Sequence, residues 1–422
     1  PSTRRKYEYV LTRDQIVVKD VPYYGIDEDG IGYVRITKFS RYTARDFRVA
    51  MKSFSESDNL NGIVIDLRNN SGGLLRNALS ILDNLVEKNT LLLSTRGRNK
   101  NSNSKKYARQ NPIIDQDVPI AVLINKGSAS ASEIVAGTLQ DLDRAVIMGE
   151  KSFGKGLVQS MFPINDSTKL KLTTAKYYTP SGRLIQKYDY LENGVLTDGL
   201  DKSDSTFFTI GGRKVKGGGG ITPDITLSRN TIPPFVSGLW RQGLFLTFAA
   251  TYVPSRDIQT PVVITNEIIL DFKQFLEDYD FKYSEPGEKE FTRIKDIIAK
   301  SEDFEDRKSA KLFSKLFFWQ KSPSDKLFGD LEKFYKHKKD NPFDSKENLK
   351  GIRNGLYREM SSVVTGLNKD RIKAALSYDN IYDDAKIVLL NANRYYDILS
   401  PEHDVLDTAE ENSIIIDSEN GE

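Results

Sequence analysis

Three short apolar runs leave the first half of the chain little choice of architecture: Gly62-Ile63-Val64-Ile65-Asp66-Leu67, Ile120-Ala121-Val122-Leu123-Ile124 and Ala145-Val146-Ile147-Met148. None alternates apolar with polar residues, so each suits a strand covered on both faces, as in a parallel sheet. Parallel neighbours require crossovers, and helical stretches stand where those belong. One lies near residues 44–55. A second follows the Gly72-Gly73 turn and carries Leu74, Ala78, Ile81, Leu82 and Leu85, and a third spans Glu133 to Leu139. Leu91-Leu92-Leu93 reads as a further strand in the same series. Strand and helix in alternation define an α/β layer of crossover units.

The flanking regions have a different character. Before the layer, Tyr7 to Thr12, Gln15 to Val18 and Gly32 to Ile36 read as strands between turn signals such as Asp27-Glu28-Asp29-Gly30. This abrupt start is expected of the end of a preceding domain. From about residue 160 to 227 the chain is rich in strand signals and glycine, including Leu170 to Thr174, Tyr177 to Gly182 and Gly217 to Gly220. After Pro233-Pro234 it becomes helical. Ile268, Ile269, Phe272, Phe275 and Leu276 follow a Thr265/Asn266 cap, and further amphipathic stretches run through Phe291-Ile294-Ile298, Leu312-Phe313-Leu316-Phe317 and residues 385–396. The expected division is an entry segment over 1–40, an α/β core over 41–230, a helical region over 231–400 and a frayed acidic tail over 401–422. Residues 96–109 are polar and basic and read as a solvated loop, with a strip for acidic partners as the alternative.

Composition removes several functions. Lys+Arg is 61 against Asp+Glu 59, a net charge of +2, which gives no electrostatic reason for nucleic acid or a membrane surface as main partner. The longest nearly apolar run, around Gly243 to Val253, is too short to span a bilayer. With no cysteine, thiol nucleophiles, disulfides and cysteine metal sites are excluded, and the compartment stays open. The two histidines, His337 and His403, rule out a histidine-rich metal site and make a histidine-based triad hard to build.

Three segments carry chemistry. Gly127-Ser128-Ala129-Ser130-Ala131-Ser132-Glu133-Ile134 lies between a buried strand and a helix, so its serines sit beside unsatisfied N–H groups that favour an oxyanion. Ser130-x-x-Glu133 is equally a capping box, and the segment alone leaves nucleophile and cap both open. In Ser152-Phe153-Gly154-Lys155-Gly156-Leu157-Val158-Gln159, a partly buried lysine would lose its ammonium proton more readily, as a general base must, whereas a glycine-flanked lysine in a surface turn is the bland reading. It is not a phosphate-binding P-loop, because Gly156 follows the lysine where Ser or Thr is required. In Asp66-Leu67-Arg68-Asn69-Asn70-Ser71-Gly72-Gly73, the N–H groups of a glycine turn after a strand can face an anion, or the turn is merely a connection.

Together, in this order and spacing, the segments resemble the C-terminal processing peptidases, or tail-specific proteases, in a Bacteroidota-like version. The match runs from Tyr7 to about Asp224 and includes Leu11-Thr12-Arg13-Asp14, Val21 to Gly25, Tyr177 to Gly182 and Gly217 to Asp224. The resemblance implies a crotonase-like spiral core with a β-rich layer and a mostly helical C-terminal region. It implies a serine endopeptidase acting near protein C-termini through a Ser-Lys dyad and an acyl-enzyme. Ser130 would be the nucleophile, Lys155 the general base and Gln159 its orienting partner, with Ala131 and Gly73 supplying the oxyanion-hole N–H groups. No metal or cofactor is implied. Polypeptide substrates held by their C-termini, a second copy or an adaptor on the helical region, and a bacterial periplasm or envelope location follow from the same likeness. Such proteins carry a PDZ domain upstream, of which only the exit strand is expected here, and a catalytically silent peptide-binding scaffold of the same fold is the alternative function.

Overall fold

The computed structural model describes residues 10, 12–13, 18–190, 196–198, 205–227, 232–256, 258, 260–300, 323–366 and 368–402. Most of the expected strands at 7–12 and 15–18, the helical stretch at 312–317 and nearly all of the acidic tail lie outside them. The chain forms two compact units, one of residues 1–229 with 380–422 and one of residues 230–379.

In the first unit, β1 (Tyr23–Ile26) and β2 (Ile31–Arg35) form a hairpin, and α1 (Thr43–Ser55) leads to β3 (Gly62–Asp66). Next come α2 (Leu75–Leu82), β4 (Leu91–Arg96), β5 (Ser104–Tyr107), β6 (Ile120–Ile124), α3 (Ala131–Asp141) and β7 (Val146–Gly149). A long hairpin of β8 (Leu157–Pro163) and β9 (Lys169–Tyr178) follows. Two short pairs come after it, β10 (Tyr188–Tyr190) with β11 (Leu196–Asp198) and β12 (Thr206–Phe208) with β13 (Lys214–Lys216), before β14 (Ile225–Thr226).

The main sheet has the order β1-β2-β3-β6-β7-β14 and is parallel throughout except for the β1–β2 hairpin. Every residue of β3, β6 and β7 is buried, which is why their sequences show no alternation. Helix α1 buries Phe47, Ala50, Met51 and Phe54, and α3 is buried along its whole length. At its far end α3 is braced by Arg183 and Arg213, both buried, which pair with Asp141 and Asp224. The α/β core, the separate β layer and the helical C-terminal region are the expected architecture.

Three local expectations change. Leu91-Leu92-Leu93 is a strand, but it joins a second, antiparallel sheet of order β5-β4-β9-β8. Its half-exposed pattern suits a layer with one wet face, and a three-residue apolar run cannot distinguish the two settings. The basic stretch at 96–109 is no simple loop, because it contains a 3₁₀ turn (Lys100–Ser102) and the edge strand β5. The helices Asn380–Leu390 and Ala392–Ile398 belong with the α/β core and not with the helical unit before them. A Cβ added to Gly62 would lie 3.1 Å from Leu389, and the Tyr395 hydroxyl accepts the Ile120 N–H at 3.0 Å. Helical periodicity gives a helix an apolar face without saying which surface that face covers.

The second unit, residues 230–379, has its own core of Phe235, Leu239, Phe245, Phe272, Leu356 and Met360 among others. Its helix Asn266–Asp278 starts at the expected cap, where Thr265 Oγ1 accepts the Ile268 N–H at 3.3 Å. Among the described residues, no helix is long and apolar enough to cross a membrane, and no cluster of three or more His, Asp or Glu could hold a metal ion.

Candidate active site

The turn after β3 is fixed first by charge. Asp66 is fully buried, and burial alone would raise its pKa. The Arg68 guanidinium reverses this, donating through Nε to Oδ1 at 2.9 Å and through a terminal nitrogen to Oδ2 at 2.7 Å, with Tyr33 adding a third bond at 2.7 Å. The carboxyl is held at about 2. Asn70, also buried, then ties the turn to its neighbours. Its amide donates to Ile36 O at 2.8 Å and accepts the Gly72 N–H at 2.9 Å. Its carbonyl accepts the Ala129 N–H at 3.0 Å and the Ser132 hydroxyl at 2.8 Å.

Two glycines are required where the turn meets α3. Gly72 has φ 94°, and a Cβ there would lie 2.8 Å from the Ser130 Cβ and 2.9 Å from the Ala131 nitrogen. Gly73 has φ 151°, and its Cβ would lie 2.1 Å from Phe39 O. The backbone of the turn therefore rests directly on the first residues of α3. Among the described residues, neither the Gly73 N–H nor the Ala131 N–H finds an acceptor within the protein.

Three serines stand at alternate positions before and within α3, and their surroundings separate them. Ser128 is buried, donating to Leu67 O at 2.9 Å and accepting the Asn125 N–H at 2.9 Å. Ser132 is buried with its hydroxyl on Asn70 O. Ser130 is half-buried and is the N-cap of α3, with φ 56° and ψ −111°. A non-glycine residue at positive φ is strained, and strain of this kind is typical of residues presented for chemistry.

Glu133 joins this segment to the lysine loop. Its Oε2 accepts the N–H groups of Ser130 at 2.7 Å and Lys155 at 2.8 Å. Its Oε1 accepts the Gly154 N–H and the Ser152 hydroxyl, both at 2.6 Å. Burial pushes this carboxyl up, and the four donors pull the other way without cancelling the rise. Lys155 is half-buried, and its carbonyl accepts the Tyr177 hydroxyl. The main chains carrying Ser130 and Lys155 are thus locked together, 25 residues apart in sequence. Gln159 is exposed on the edge strand β8, opposite Thr173 and beside a bulge. Among the described residues, no hydrogen bond joins the Lys155 ammonium to Ser130 or to Gln159.

The structure therefore brings together Gly73, Ser130 and Ala131, places Lys155 beside them through its backbone, and leaves Gln159 apart. Glu133 was visible in the sequence only as a capping residue. Nothing local in the sequence announced Asn70 or Tyr177, because their partners lie far along the chain.

An α/β crossover core that presents a strained serine at a helix N-terminus, under a glycine turn with a free N–H, has the layout of a serine hydrolase. Residues 30–199 match Peptidase family S41, and the chain belongs to that family. Residues 235–317 match a domain described as "Probable PDZ-protease, C-terminal helical domain". The carboxy-terminal-processing protease of Bartonella bacilliformis is 48% identical over 179 residues, covering 42% of this chain and 40% of that protein. The carboxy-terminal processing protease CtpB of Bacillus subtilis is 35% identical over 189 residues, covering 44% and 38%. The chain thus spans less than half the length of these relatives. Among solved structures, the photosystem II D1 C-terminal processing protease is 28% identical with a TM-score of 0.39, covering 53% of this chain and 52% of that one.

Proposed function

We propose that the chain is a serine endopeptidase that cleaves polypeptides near their C-termini, working in the bacterial cell envelope. The observation that carries this reading is the state of the three serines: only Ser130 keeps its hydroxyl off a backbone carbonyl, and it does so beside the unpartnered N–H groups of Gly73 and Ala131. The names of the relatives supply the substrate class.

In this reading the Ser130 oxygen attacks the scissile carbonyl while its proton passes to the neutral amine of Lys155. The Ala131 and Gly73 N–H groups hold the tetrahedral oxyanion. Collapse releases the amine product, which leaves with the proton from Lys155, and water then hydrolyses the acyl-Ser130 ester. Gln159 orients Lys155 from β8 once substrate lies along that edge. Neither histidine takes part.

The test is cleavage of a peptide with a free C-terminus, alongside labelling by a fluorophosphonate. Ser130→Ala and Lys155→Ala should each lower kcat by about a thousandfold or more, with the double variant hardly worse, because the two act as a unit. Lys155→Arg should also be inactive, since a guanidinium does not give up its proton. Ser128→Ala and Ser132→Ala should keep far more activity. A dead Ser132→Ala beside an active Ser130→Ala would overturn the assignment.

A further inference from the structure

Tyr177 is a buried phenol at the end of β9, only 2% exposed. Its N–H donates to Gly156 O at 3.0 Å, and its hydroxyl donates to the carbonyl of Lys155. The same hydroxyl lies within hydrogen-bonding range of the Ser130 side chain. One oxygen atom therefore touches both the serine hydroxyl and the main chain of the lysine.

The direction of each bond is forced. A phenol has one proton, and a carbonyl only accepts, so that proton goes to Lys155 O. Toward Ser130 the Tyr177 oxygen can then only accept, and the Ser130 hydroxyl must be the donor. Burial and the nearby Glu133 carboxyl push the phenol well above its ordinary range, so it keeps its proton. It cannot itself serve as the base. It fixes where the Ser130 proton points before reaction and holds the Lys155 backbone at the same time.

We infer that Tyr177 is a positioning residue for the peptidase reaction, setting the Ser130 hydroxyl and the Lys155 loop in register through one shared oxygen. The inference rests on the reading of Ser130 as nucleophile and Lys155 as base. It differs from a packing role, because a phenylalanine would fill the same space and lose both bonds.

The experiment compares wild type and Tyr177→Phe in the full chain, with every rate expressed per active site titrated by fluorophosphonate. Counting active sites removes any effect of a smaller folded fraction. Tyr177→Phe should lower kcat roughly ten- to a hundredfold, the scale set by misplacing a reacting group, with KM within about twofold. The rate constant for fluorophosphonate labelling should fall by a similar factor, and Tyr178→Phe should leave both rates unchanged. If wild type takes label at Ser130 and Tyr177→Phe reacts at the same rate per site, the role given to Tyr177 is overturned while the nucleophile assignment stands. If wild type takes no label at Ser130, the nucleophile assignment fails and the inference fails with it. A rise in KM with unchanged kcat would make Tyr177 a substrate contact and also overturn the inference.

Discussion

Asp66 and Glu133 are both buried carboxylates, and their surroundings treat them in opposite ways. Asp66 has a guanidinium folded around it, whereas Glu133 has four hydrogen-bond donors and no cation among its hydrogen-bond partners. The Asp66 carboxyl is therefore held down, to about 2 from an ordinary 3.8, while that of Glu133 stays raised. A depressed acid contributes stability that is fully present above its unfolded value and is lost as pH falls through its folded value. For Asp66 that window is pH 4 down to 2, and the contribution is about 2 kcal/mol. Glu133 works the other way, favouring the folded state below its ordinary value and losing that effect as pH rises through the raised one. Asp66→Asn should therefore be less stable at neutral pH, because Arg68 loses its partner, and should show a shallower fall in unfolding free energy between pH 4 and 2. Urea titrations at a series of pH values would measure it, and an unchanged slope would contradict the assignment.

At the scale of elements, the Gly72-Gly73 turn and the start of α3 act as one object, because each fixes the backbone of the other. Gly73→Ala should be informative, since its Cβ would collide with Phe39 O and the turn must shift to accept it. Displacing one oxyanion donor should lower kcat by about a hundred- to a thousandfold with a smaller change in KM, measured on a short peptide substrate. How much of this was legible depends on the range of the interactions. The buried strands β3, β6 and β7 could be read because burial on both faces writes itself into consecutive residues. The glycine turn and the helix start could be placed for the same local reason. The choice among Ser128, Ser130 and Ser132 could not be made from the residues alone, since what distinguishes them is the carbonyls of Leu67 and Asn70, about 60 residues away. Resemblance pointed to Ser130, and it also pointed to Gln159, which stands exposed on a strand whose bulge no local pattern announces.

For the whole molecule, the notable fact is that the α/β core is discontinuous: the chain leaves it near residue 229 and returns near residue 380. The returning helices are bonded in. Tyr395 meets Ile120 and Arg144, Tyr382 donates to Asp27 at 2.8 Å, and Lys386 pairs with Asp29 at 2.8 Å. Tyr395→Phe removes the acceptor for a buried N–H and should cost about 1–3 kcal/mol, seen as a lower thermal midpoint. The kcat of the protein that stays folded should be unchanged, because the substituted hydroxyl lies on the far side of β6 from no catalytic step. A drop in kcat without a drop in midpoint would refute this division.

The contact between Ile120 and Tyr395 spans 275 positions of sequence. On a ribosome the chain emerges in order, so β3 and β6 must wait for the helices that cover them until the intervening 150 residues have been made. During that interval the central strands present bare apolar surface, the condition under which nascent chains stick to one another or recruit chaperones. Loop closure over such a distance is also slow, so maturation of this core is set by the arrival of its last helices, and a product whose synthesis stops short of them would lack a finished enzyme.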